Sequence, residues 1–340
     1  MTTPFVEYKP TLENYWRSVI LFGLNVASYK FALGKALLDL SPQGNDFVTL
    51  ETLAEPFSRY VCEHLRSAPK QGTFAESTFL NACKSFNDGK LSQDQLIGET
   101  VRLGFKNVID AFHVVNRGEI GTRFFVDERK GSQKGIRLTD DIRTLREAFQ
   151  FRNLPGEIEA RWRLVETSWE LKLPRHFIAV EYDETTERLF VDRYGYERRD
   201  VTGCRDALNG YQRGKCFYCR TDISIESGGV DVDHFFPHTL HRSGFLGNPN
   251  GVWNLVLSCV DCNRGTSGKF AWVPELRFLE RLYRRGEYLI GSFHPLRETL
   301  MAQTGVTPED RKSFLQTRWN EAVGHLIHTW HPENELESDL

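Results

Sequence analysis

Between Leu12 and Leu40 the apolar residues Trp16, Val19, Ile20, Leu24, Ala27, Phe31 and Leu38 recur at helical intervals, with Arg17, Asn25 and Lys30 among them. That period predicts one amphipathic helix. Further helical stretches are expected from Leu50 to Leu65 and from Ser77 to Phe86. A fourth opens at Ser92-Gln-Asp-Gln95, a capping-box-like start, and runs towards Val115. The pattern then changes. Thr122-Arg-Phe-Phe-Val126 and Gly135-Ile-Arg-Leu138 flank a polar, glycine-containing turn and read as a hairpin, as do Phe177-Ile-Ala-Val180 and Arg188-Leu-Phe-Val191. Between the hairpins Ile158, Trp162, Val165 and Trp169 form a helical stripe of the core-packing kind. A short helix is expected over Thr202 to Gln212 and another over Pro274 to Arg285, with proline at its start. A last helix opens at Thr307-Pro-Glu-Asp310 and buries Phe314, Leu315, Trp319, Val323 and Leu326. The acidic tail from Glu333 is expected to fray.

The fold class is therefore α+β. A mainly helical N-terminal domain with small hairpins covers 1–200, and its part would be targeting, partner docking or regulation. A small module covers 201–285 and a C-terminal helical extension 286–340. With 340 residues, 40% hydrophobic and 26% charged, the chain can bury two cores. The start MTTPFVEYKP lacks the basic and apolar parts of a secretory signal, and the most apolar stretch, Ser18 to Ser28, is too short to span a bilayer. A cytoplasmic protein is the expectation.

A formal charge of -3 and a pI near 6.4 argue against a protein that coats nucleic acid, so any phosphate-binding surface must be local. One basic stretch holds Arg264, Lys269, Arg277, Arg281, Arg284 and Arg285, and a second runs from Arg193 to Arg220; solvated helix faces have the same look. Of seven cysteines, Cys62, Cys83 and Cys204 stand singly and read as small buried side chains. Cys216, Cys219, Cys259 and Cys262 form two CxxC pairs, a closed set for one tetrahedral structural zinc. The span between the pairs exceeds the usual ribbon spacing, so a folded element must sit inside it. It contains Asp231, Asp233, His234 and Asn254, and Asn263 follows the last cysteine.

In order along the chain stand CxxC, Asp233-His234 with a nearby proline, Asn254-Leu-Val-Leu, CxxC-Asn263 and Lys269. Over Tyr211 to Lys269 this resembles the HNH endonuclease family. The resemblance implies a ββα-metal module between zinc knuckles. Asp233 and His234 would end one strand, Asn254 would lie in the connecting loop, and Asn263 would sit on the short helix where the family takes His or Asn. The implied products carry a 5′-phosphate and a 3′-hydroxyl. Residues Phe270 to Arg285 and Tyr288 to Pro295 resemble extensions of prokaryotic HNH proteins encoded beside anti-phage functions, such as the nuclease of Zorya-type systems.

Phosphodiester hydrolysis needs a base for water, a cation for the developing charge and in-line geometry. His234 is the natural base. Asp233 and Asn263 are hard ligands suited to Mg²⁺ or Mn²⁺, and Asn254 is expected to orient the His234 loop. Asp231 is more readily a turn or solvent-facing residue than an assistant to the metal. Arg264 and Lys269 would either grip the DNA backbone or be merely solvated; His238 and His241, beyond the base, would rarely do chemistry. Two other readings stay open: a zinc-stabilised nucleic-acid-binding or adaptor protein without catalysis, and the same enzyme acting on RNA. Protein partners from a defence system are compatible with all three, and oligomeric state is not legible.

Overall fold

In the N-terminal half of this computed structural model, helices close around an aromatic interior: α1 (Leu12–Phe22), α2 (Tyr29–Leu40), α3 (Leu50–Ser67), α4 (Thr78–Asn87), α5 (Gln93–Glu99), α6 (Val108–Ala111), α7 (Asp140–Glu147) and α8 (Leu154–Glu170). The structure describes residues 10–22, 27–41, 46–72, 77–115, 118–131, 133–170, 180–183, 185–186, 188–193, 197–225, 228–243, 249–291 and 296–336. The run from Leu12 to Leu40 makes two helices rather than one. Ala27 bridges to Gly72 and the Ser28 amide donates to the Gln71 carbonyl (3.1 Å), which ties the chain sideways between them. The period survives because both helices face one core. Ser92 and Gln95 do form a reciprocal capping box, but the helix beyond it gives way at a π-helical turn, Thr100–Gly104.

Small sheets decorate this half. Strand β1 (Phe47–Thr49) pairs with β5 (Gly135–Leu138), which pairs with β4 (Phe125–Asp127), so the expected hairpin gains a third strand too short to show alternation. Strands β2 (Val114–Val115) and β3 (Gly118–Glu119) form a minimal ladder. The second hairpin joins β6 (Val180–Asp183) to β7 (Arg188–Arg193), with β8 (Glu197–Gly203) beside it; Phe177 to Ala179 lie outside the described residues. Helix α9 (Cys204–Gln212) follows directly.

The C-terminal half adds the antiparallel pair β9 (Val230–His234) and β10 (Leu255–Cys259), then α10 (Val260–Arg264), α11 (Leu276–Gly291), α12 (Leu296–Thr304) and α13 (Pro308–Leu326). Pro274 does not start a helix. It lies in β11 (Val273–Pro274), which pairs in parallel with β12 (Thr329–Trp330) at an edge where the missing N–H costs nothing. At the other terminus of this region, Thr307 and Asp310 cap α13 as a box. No helix among the described residues is long and apolar enough to cross a membrane. Segment 292–295 lies outside the described residues.

The mixed helices and small sheets make an α+β fold with two buried clusters. Trp16, Phe31, Phe57, Phe105, Phe124 and Trp162 centre the first; Tyr218, Phe235, Phe236, Trp253, Leu257 and Phe278 centre the second. Each such side chain is worth about 1.5–3 kcal/mol when fully buried. Helix α8 serves both, sending Ile158, Trp162, Val165 and Trp169 to the first and Ala160 and Leu164 to the second. Polar pairing reinforces the junction. Arg17 of α1 grips Glu157 of α8 through two bonds of 2.8 Å, and Asn209 of α9 donates to the same carboxylate at 2.9 Å.

Candidate metal centre

Two tight turns carry the four thiols. After α9, Arg213 and Gly214 adopt left-handed φ values of 57° and 69°, and Arg220 repeats this at 65° just past Cys219. Between them the Cys216 amide donates to Thr221 O (2.9 Å) and the Phe217 amide to Leu257 O (2.9 Å), which hangs the first turn on β10. Cys259 ends β10, and Cys262 lies three residues further, in α10. The four sulfurs lie within 4.8 Å of one another, with Cys219 and Cys259 3.7 Å apart. A zinc ion with Zn–S bonds near 2.3 Å separates tetrahedral sulfurs by about 3.8 Å, so this set can hold zinc. Hydrogen bonding with Cys216 drives Cys219 and Cys259 down, Cys259 to about 7, while the same network pushes Cys216 and Cys262 up. Four thiols converging in this way are a donor set suited to a thiophilic cation.

Gln150 anchors the first turn to the N-terminal half. Its Nε2 donates to Gly214 O (3.0 Å) and Ile223 O (3.2 Å). A Cβ at Gly214 would lie 1.8 Å from Gln150 Oε1, so glycine is needed there for packing as well as for φ. No motif signals Gln150, because it lies in a short 3₁₀ turn far along the chain.

Strand β9 pairs with β10 in the register Asp231↔Ser258, Asp233↔Val256 and His234↔Leu255. Asn254, fully buried, staples the turn after His234: its Oδ1 accepts from Phe236 N (2.8 Å) and its Nδ2 donates to Phe236 O (3.0 Å) and Pro249 O (2.9 Å). The Asn254 carbonyl also accepts from Phe235 N at 2.7 Å. Nε2 of His234 lies 2.9 Å from Asn250 Oδ1, and its ring centroid is 5.7 Å from that of His238. Asn250 went unnoticed in the sequence because a loop asparagine has no pattern. His241 falls in the 3₁₀ turn His238–Ser243.

The pleat sends Asp231 and Asp233 to one face of β9 and His234 to the other. Asp233 is sealed: Tyr218 donates to its Oδ2 at 2.6 Å, and the Lys269 ammonium lies 3.2 Å from Oδ1. Burial pushes this carboxyl above the usual range, against the opposing pull of Lys269 and Tyr218. Asp233 and Asn263, expected as two ligands of one hard ion, have different side-chain partners. Asn263 Nδ2 donates to Asp231 Oδ2 at 3.0 Å, and Arg264 Nε donates to the same oxygen at 2.7 Å. Partial burial works against ionisation of Asp231, but Arg264 and Asn263 outweigh it and hold its pKa low.

The basic stretch is also reassigned. Lys269 has no exposed surface and donates to His234 O (3.0 Å) and Phe270 O (3.2 Å), so it is an interior partner of the hairpin rather than a backbone clamp. It reaches there because the loop doubles back on α10 so closely that a Cβ at Gly268 would meet Gly265 N at 2.8 Å. Arg285 is likewise buried, donating to the carbonyls of Leu255, Val252 and Trp253. Arg264 and Arg284 remain at the surface, paired with Asp231 and Glu280. No protein-family model, curated protein or solved structure matches the chain.

Proposed function

We propose that residues 211–269 form a metal-dependent phosphodiester-cleaving centre of the HNH type that acts on DNA. One observation carries the reading: in an antiparallel pair β9 ends at His234 and β10 runs directly into the short helix bearing Asn263, with the four-thiol cluster at that junction. A strand pair followed by a short helix supports the ββα reading of the motif order. Zinc in the thiol cluster is structural, since four protein ligands leave no position for substrate.

His234 is the base in this reading. Its backbone is pinned by Asn254 and its ring is oriented by Asn250, so it can take a proton from water, a contribution of about 10²- to 10⁴-fold. Mg²⁺ or Mn²⁺, when bound, would offset charge on the scissile phosphate. Asp231, though paired with Arg264 and Asn263, and the side-chain oxygen of Asn263 are the less buried hard ligands. Asp233 can serve only where Lys269, already its cation, gives way. An anti-phage setting follows from the resemblance of the segment after the module.

Purified protein incubated with supercoiled plasmid and Mg²⁺ or Mn²⁺ tests this, with and without EDTA and beside His234→Ala. Cutting that needs both the ion and His234 is expected; indifference to both removes the reading. A labelled RNA digested in parallel identifies the substrate.

The burial of Asp233 and its pairing with Lys269 favour a second reading, a zinc-stabilised binding module without catalysis. Cellular activity that survives His234→Ala and Asp231→Asn but not Cys216→Ala would select it.

A further inference from the structure

The acidic tail is not frayed through Leu336. Glu335 inserts among three arginines: it pairs with Arg277 and Arg281, four residues apart on α11, and Arg220 Nε of the first thiol turn lies 4.0 Å away. Ser267 donates to Glu333 at 2.5 Å, in the loop between α10 and Lys269. Arg281 also donates to Phe217 O (2.6 Å) and Tyr218 O (2.8 Å), so the cluster is built onto the cysteine turn itself.

We propose that Arg220, Arg277 and Arg281 are a binding site for nucleic-acid backbone phosphates, and that Glu335, with Glu333 held nearby on Ser267, occupies it as an internal mimic that the substrate displaces. Planar guanidinium groups match a phosphate as well as a carboxylate, and two of them from one helix face make a bidentate seat. Arg277 keeps half of its side chain exposed, so the seat opens to solvent. The occupant is lightly held. Between His331 and Leu336 the segment forms neither helix nor strand, and its backbone tie is Leu336 N to Cys219 O (3.0 Å). What remains are ion pairs near the surface, the kind that salt screens and a polyanion can outcompete. Glu337 and Asp339 continue the alternation of acids in the sequence, so the tail is a repeated anion rather than a lone carboxylate. The pairing also explains how a chain with a net charge of -3 can carry a phosphate seat: the seat is neutralised until needed.

The inference rests on the nucleic-acid part of the function proposed above and not on cleavage. The test compares zinc-loaded full chains, wild type and Glu333→Gln/Glu335→Gln, binding a short fluorescein-labelled DNA duplex without added Mg²⁺ or Mn²⁺. Fluorescence anisotropy across a salt series should show roughly tenfold tighter binding by the variant at low salt, and a salt dependence steeper by about two released counterions. Adding Arg277→Gln and Arg281→Gln should abolish the gain. Unchanged affinity and slope, with zinc content and melting intact, overturn the proposal. If the glutamine variant loses zinc, truncation after Pro332 is measured instead, and zinc loss there too marks the tail as a structural strap and overturns it. His234-dependent cutting with unaltered binding by the variant removes only the tail inference; tighter binding without metal-dependent cutting removes only the cleavage reading.

Discussion

The Lys269 ammonium lies 3.2 Å from Asp233 Oδ1 and 3.0 Å from the carbonyl of His234, without exposed surface. Lys269→Ala leaves a buried carboxylate facing only Tyr218, and breaking such a pair costs about 3–5 kcal/mol. Urea unfolding is the check. Replacing both partners, as in Asp233→Asn/Lys269→Met, should recover most of the loss, whereas a lysine that is merely solvated would make either change nearly silent.

Asp231 and Asp233 should differ sharply in metal response. Asp231→Asn should raise the Mg²⁺ concentration for half-maximal cutting by roughly tenfold or more, while melting stays close to wild type. Asp233→Asn should lower the melting temperature first. The reverse order in a metal titration beside thermal melts would return the cation to Asp233.

Zinc should be present at one ion per chain and survive EDTA concentrations that abolish cutting, because the thiol set offers four ligands and the hard ion has few. Cys216→Ala or Cys259→Ala should release zinc and unfold the module, since such sites contribute on the order of 10 kcal/mol. Metal analysis with circular dichroism reads both. Simultaneous loss of zinc and activity at mild chelation would contradict the separation of the two metals.

A fourth test concerns the N-terminal core, where His64 stacks on Trp162 with ring centroids 3.5 Å apart and sits between Glu166 (2.7 Å) and Glu159 (3.1 Å). Burial disfavours the imidazolium, but the two carboxylates outweigh it and raise its pKa above 6.5. Burial likewise opposes ionisation of Glu159, yet His64 and Lys35 hold it below 4.5. The histidine contribution is complete below its unfolded value and fades as pH rises through the raised folded value; the glutamate contribution is complete above its unfolded value and fades as pH falls through the depressed one. Network stabilisation should therefore peak between pH 4.5 and 6.5. Thermal melts of wild type and His64→Gln should differ most in that window, and a constant difference across pH would refute the charged network.

Asn254→Ala should disable the site by freeing the turn after His234. It orphans a buried amide and two carbonyls, each costing about 1–3 kcal/mol when left unsatisfied. Reduced cutting with normal zinc content would separate this positioning effect from loss of the thiol cluster.

Features set within a few residues were legible in the sequence by itself: the helix over Leu50–Ser67 and the boxes at Ser92 and Thr307; the meeting of four thiols was legible from the two CxxC spacings. Motif order marked His234, Asn254 and Asn263, but not what each would touch. Tertiary structure alone decided that Asn263 meets Asp231, that Lys269 and Arg285 turn inward, that Asn250 and Gln150 matter, and that Glu335 neutralises α11. The reason is physical. A charged side chain is buried or exposed according to whether distant segments bring it partners, as Tyr218 and Lys269 do for Asp233, and nothing in its own neighbourhood of sequence encodes that meeting.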